Sequence, residues 1–117
     1  MKRGKFFPII MLFLLFSCAA ISQENNEVQV VLLAGQSNMA GAGNYDDLED
    51  AIKKRIDKVA DRVFVSQSNI AQTPLSYYNN KPSRKYAFTK RFGPELILGL
   101  TLAEKYPKKE FLLIKHM

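Results

Sequence analysis

The segment Val28–Ala34, VQVVLLA, followed at once by Gly35-Gln36-Ser37-Asn38-Met39, limits the fold more than any other part of the chain. Six of its seven residues are apolar and three are valine, as expected of a strand covered on both faces in a parallel sheet. The run then stops abruptly. Glycine takes backbone angles closed to other residues, so a sharp turn at Gly35 would lift Ser37 to the carboxyl end of the strand, where ligands meet parallel sheets. Gln36 and Asn38 flank that serine and are open to two readings. They orient it and touch a ligand, or they cap the turn that follows.

Past a small, glycine-rich stretch, 38–44, the periodicity changes. Leu48, Ile52, Ile56 and Val59 recur at helical spacing. Asp46, Asp47, Glu49 and Asp50 come first and Lys53, Lys54, Arg55 and Lys58 follow, an order that suits the helix dipole. This predicts a surface amphipathic helix with no chemistry of its own. Asp61-Arg62 then leads into Val63-Phe64-Val65, a short strand with β-branched bias. Residues 66–91 show no obvious element, and they carry Tyr77, Tyr78, Tyr86 and Phe88. An irregular stretch of that length is usually functional or disordered. Its tyrosines, flat apolar faces with a polar edge, would suit a sugar and would equally serve to pack the loop onto the sheet. Phe92-Gly93-Pro94-Glu95 predicts a helix start, with Pro94 at the first position and Glu95 at the positive end. Leu96 to Ala103 make a largely buried helix that Tyr106-Pro107 ends, and Phe111-Leu112-Leu113-Ile114 is a third buried strand. Alternation of strand and helix in this order predicts an α/β layered fold with a parallel sheet.

At 117 residues and 47% apolar content the chain is sized for one small domain with a core. Its formal charge is +6, but Lys2, Arg3 and Lys5 precede Gln23, and from there 14 basic residues face 11 acidic ones, leaving +3. A balance so mild, scattered along helices, gives no footprint for nucleic acid. The basic start, the apolar run Phe6–Phe16 and the small-x-small Ala20-Ile21-Ser22 predict an export signal over residues 1–22, leaving 23–117 to fold. That run is shorter than the roughly 20 residues a membrane span needs. Leu15-Phe16-Ser17-Cys18 allows a second reading, a lipid anchor on Cys18, the only cysteine. Removal after Ser22 would leave no thiol, hence neither disulfide nor thiolate site.

Competing motifs fail. A dinucleotide fingerprint needs glycine where Ser37 and Ala40 stand. A phosphate loop needs glycine, lysine and a hydroxyl residue where Ala40, Gly41 and Ala42 stand. The Gly-x-Ser-x-Gly elbow fails at Met39. Metal-ligand spacings are absent, and no cofactor is implied.

Gly35-Gln36-Ser37-Asn38-Met39 after an apolar N-terminal strand resembles the first sequence block of SGNH (GDSL-like) hydrolases, in the form found in the sialate O-acetylesterase and carbohydrate esterase family 6 branch. Arg62-Val63-Phe64-Val65, Pro74-Leu75 and Phe92-Gly93-Pro94-Glu95-Leu96 follow in that branch's order. The resemblance implies a three-layer α/β/α flavodoxin-like fold with a parallel sheet, of which residues 23–117 would be the N-terminal part, about three strands. It implies an esterase on acetylated carbohydrate in which Ser37 is the nucleophile and forms an acyl-enzyme. The Ser37 backbone amide would belong to the oxyanion site, Gln36 and Asn38 would flank it, and Glu95 would border it. A dipole-favoured helix start also explains Glu95. A serine needs a base, usually a histidine steered by a carboxylate. The family's Asp-x-x-His block has no match here, and the sole histidine, His116, is read as an ordinary residue at the end of a strand. The expectation is therefore little activity from these 117 residues alone. The alternative from another class is a noncatalytic carbohydrate-binding or scaffold remnant of the same fold.

Overall fold

The computed structural model describes residues 27–117 except Asn69, so the export signal and Cys18 lie outside the described residues. In chain order the elements are β1 (Val28–Ala34), α1 (Ser37–Ala40), β2 (Gly43–Asn44), a 3-10 turn (Tyr45–Asp47), α2 (Asp50–Val59), β3 (Val63–Gln67), β4 (Thr73–Pro74), β5 (Tyr78–Asn79), β6 (Lys90–Phe92), α3 (Pro94–Lys105) and β7 (Glu110–His116).

The three apolar runs pair as one parallel sheet in the order β1-β7-β3, with β4 added antiparallel at the β3 edge. The register sets Val31, Leu113 and Val65 side by side, and Val30, Leu112 and Phe64 beside them on the opposite face. Because strand side chains alternate, the first set faces one way with Val63, Phe111 and Leu33. There it joins a single core with Ile56 and Val59 of α2 and Leu96, Leu100 and Ala103 of α3. The molecule is thus mixed α/β around a parallel sheet, as the alternation of elements predicts, and is compatible with a flavodoxin-like SGNH arrangement.

Three features differ from expectation. Among the described residues β1 is covered on one face only: Val28, Val30 and Leu32 are 47%, 56% and 73% exposed, because both long helices lie on the other face of the sheet. An apolar run reports what a strand could bury, not how many layers are present around it. The acidic stretch does not open α2 at Asp46. The Asn44 side chain accepts from the Asp46 amide (3.2 Å) and winds Tyr45–Asp47 into a 3-10 turn that buries Tyr45, so the helix starts at Asp50. Residues 66–91 are not featureless either. β5, β6 and β2 form a small antiparallel sheet, and the Asn80 side-chain amide donates to the carbonyls of Tyr86 (3.3 Å) and Phe88 (2.7 Å), closing the loop between β5 and β6. Leu75 plugs that region into the core at 1% exposure.

Two arginines tie helices in place. Arg55 of α2 reaches Glu104 of α3 (Nε to Oε2, 2.9 Å), and that hydrogen bond holds the Glu104 carboxyl below its ordinary pKa. Arg62 donates to the carbonyls of Ala103 (2.6 Å), Tyr106 (3.2 Å) and Lys109 (3.0 Å), so one guanidinium satisfies the C-terminal turn of α3 and the loop into β7.

Candidate active site

β1 runs out at Ala34, and the Gly35 amide continues the ladder by donating to the carbonyl of His116 (3.1 Å). Gly35 does not take the left-handed turn that the sequence suggests, and its lack of a side chain leaves room for that of Met39. A Cβ on it would lie 2.8 Å from Met39 Cγ, and the positive-φ glycine is Gly41, six residues on. Gln36 turns the chain, and its carbonyl accepts from the amides of Met39 (3.0 Å) and Ala40 (3.2 Å), which starts α1 with Ser37 as first residue. The amides of Ser37 and Asn38 therefore have no backbone partner among the described residues and remain free to donate. Gln36, Ser37 and Asn38 are all exposed, and Gln36 makes no side-chain cap, so nothing supports the capping alternative for it.

Behind this turn lies a brace that runs from half-buried Tyr78 and Arg91 to buried Glu95 and Lys115. The Tyr78 hydroxyl donates to the Ala40 carbonyl (2.7 Å), and Arg91 Nε donates to the Gly41 carbonyl (2.7 Å) while its guanidinium stacks 3.9 Å from the centre of the Tyr86 ring. Gly41 has φ of 80° and touches Gly93 so closely that a Cβ would sit 2.2 Å from the Gly93 Cα. The Gly93 amide in turn donates to Glu95 Oε1 (3.1 Å), and Glu95 Oε2 accepts from Lys115 Nζ (3.0 Å), which also lies over the Tyr78 ring at 4.9 Å. Glu95 and Lys115 are 2% and 1% exposed. Burial pushes the Tyr78 phenol above its ordinary pKa against the lowering effect of Arg91, so it stays a hydrogen-bond donor well into alkaline solution.

Of the residues singled out in the sequence, Gln36, Ser37 and Asn38 stand together in the open at the carboxyl edge of the sheet, whereas Glu95 points inward and reaches them through Gly93 and the α1 turn. The carbonyls of Met39 and Ala40 lie within 2.5 and 3.0 Å of where a Gly93 Cβ would be, and this is why glycine stands there. His116 sits at the same edge with its backbone beside Ala34, but no side chain hydrogen-bonds to the Ser37 hydroxyl among the described residues. The brace residues Lys115, Tyr78 and Arg91 escape a reading by motif. Only Lys115 left a trace, a charge two positions after Leu113 and on the same buried face.

A groove of about 610 Å³ opens beside the turn, lined among others by Gln67, Ser76, Tyr77, Tyr78, Asn79 and Glu95. Ser37 is not in its wall, and Tyr78 stands between the two. Among the described residues no cluster of three metal-ligating side chains occurs, and no helix is long and apolar enough to cross a membrane. An exposed hydroxyl beside two free amides, held rigidly from behind, is the arrangement an acyl-transfer site starts from.

The family model for carbohydrate esterases described as sialic acid-specific acetylesterase matches residues 27–116. No curated protein and no solved structure matches the chain.

Proposed function

The chain belongs to the sialic acid-specific acetylesterase family of carbohydrate esterases, and from that premise we propose that Ser37 is the nucleophile of an O-acetyl esterase acting on acetylated carbohydrate. The Ser37 oxygen bonds to the acetyl carbon, the bond from that carbon to the sugar oxygen breaks, and the serine proton ends on the released sugar hydroxyl. Water then cleaves the acetyl-serine to acetate. The free amides of Ser37 and Asn38 are suited to receive the negative charge that develops on the carbonyl oxygen. Gln36 and Asn38 flank the acyl group, and Glu95 supports the turn. The observation that carries this reading is the exposed Ser37 hydroxyl at the carboxyl end of β1.

These 117 residues hold one histidine and no Asp-x-x-His, so turnover by this chain alone is expected to be slow at the step that needs a base. Attack on the ester and release of the acyl group both need that base, but the good leaving group of an aryl acetate eases the first alone. An acetyl adduct should therefore accumulate on Ser37 after exposure to an aryl acetate and be absent in Ser37→Ala, as read by peptide mass mapping. Modification no greater at Ser37 than at scattered lysines and tyrosines would overturn the assignment. The second reading is a noncatalytic carbohydrate-binding form of the fold, which that same result would leave standing. Residues 1–22 support export, with or without lipid on Cys18, and the mass of the mature N-terminus from cells would distinguish the two fates.

A further inference from the structure

We propose that the groove beside the Ser37 turn is a subsite for a neutral sugar unit, so that the ligand is an extended glycan rather than one acetylated ring. The proposal rests on the carbohydrate specificity argued above, and four observations carry it. The first is place. Gln67 ends β3 and Glu95 opens α3, which puts the groove at the same carboxyl edge of the sheet as Ser37. β1 and β3 are separated by β7 alone, so the strands that lead to the two sites run roughly 10 Å apart at ordinary strand spacing. One sugar ring does not reach across, but a short oligosaccharide does.

The second is shape. Tyr77 offers a ring that is 36% exposed and already held in position by Tyr45, centre to centre 5.0 Å at 56°, so stacking a sugar on it costs little further ordering. Ser76, Asn79 and Gln67 supply hydroxyl and amide groups around it, the mixture that hydroxyl-rich rings need. The third is charge. The ionisable wall residues are Tyr77, Tyr78 and Glu95, none of them a cation, and the one carboxyl is that of Glu95. Its two oxygens are taken by the Gly93 amide and Lys115. Lys90, the cation over Tyr77 at 5.2 Å, lies 3.4 Å from Asp46. An anionic ring therefore finds no unengaged cation in that wall, whereas a neutral one loses nothing. The fourth is continuity: Tyr78 forms part of the groove wall and its hydroxyl holds the Ala40 carbonyl, so the groove abuts the last residue of α1.

The chain has no tryptophan and five tyrosines, two of them in this wall, so tyrosine emission can follow binding there with no tryptophan background. The full chain is titrated with neutral tetrasaccharides (cellotetraose, xylotetraose and chitotetraose) and with N-acetylneuraminic acid. At least one neutral probe should give a saturable change whose dissociation constant rises about fivefold or more in Tyr77→Ala and stays near the parent value in Tyr77→Phe. Asn79→Ala, at an exposed position, should weaken the same probe about threefold without altering the circular dichroism, which covers the case in which Tyr77→Ala fails to fold. Failure of every neutral probe to saturate, equal binding by the Tyr77 and Asn79 variants, or tighter Tyr77-dependent binding of N-acetylneuraminic acid would each overturn the proposal. The esterase reading is tested by the acetyl adduct on Ser37 and this subsite by the Tyr77 and Asn79 variants, so the loss of one and the loss of the other are separate results.

Discussion

Lys115 follows four apolar residues of β7 and is nonetheless among the most buried side chains, with Glu95 as its partner. Removing one member of such a pair leaves the other charged and desolvated, so Lys115→Ala should lower stability by about 3–5 kcal/mol. The double change Glu95→Gln with Lys115→Met should restore a large part of that, as denaturant midpoints would show. At Gly41, a positive φ and the Gly93 backbone both oppose a side chain, and Gly41→Ala should cost at least about 2 kcal/mol by the same measurement. Tyr78 and Tyr45 have raised pKa values, burial first in both, followed for Tyr45 by Asp57, Tyr77 and Asp46. An unfolded phenol ionises near 10.0 and these ionise higher, so the stability they lend is whole below that pH and is lost as pH rises through the folded value. Tyr78→Phe should flatten the decline in stability above about pH 10. At this scale the sequence singled out Ser37 through its short block, and the fold leaves that residue exposed just past β1. The brace stayed hidden because its members, Tyr78, Arg91, Glu95 and Lys115, meet only in the fold.

Among the elements, α3 and its entry at Pro94 were legible because proline, acid and leucine periodicity agree, and β1, β3 and β7 because each is built on a short, mainly apolar run. The stretch 45–49 misled because helical spacing of Leu48 and Ile52 says nothing about Asn44, whose side chain winds the preceding turn instead. The short strands β4, β5 and β6 were illegible for a related reason. With two or three residues each, they are fixed by Asn80 and by pairing partners far along the chain. Arg62 shows how much one side chain can hold at this level. Arg62→Ala should cost about 2 kcal/mol by freeing three carbonyls, and Arg62→Lys should recover little, since an ammonium cannot fork to all of them. Thermal melts of the two variants would test this.

For the molecule as a whole, the parallel α/β architecture follows from alternation, but the one-sided covering of the sheet does not, since an apolar strand reads the same whether one layer or two lie against it. The asymmetry has a measurable counterpart. Val63→Ala, on the covered face, should cost about 2–3 kcal/mol, whereas Val30→Thr or Leu32→Thr, on the open face, should stay within about 1 kcal/mol in chemical denaturation.

The register joins Val28 to Glu110, so the strand that carries the serine finds its hydrogen-bonding neighbour 82 positions away. Closing so wide a loop is slow compared with winding either helix. As the polypeptide leaves the ribosome, α2, β3 and α3 are complete before β7 exists, and the serine's perch is put together only when β7 arrives.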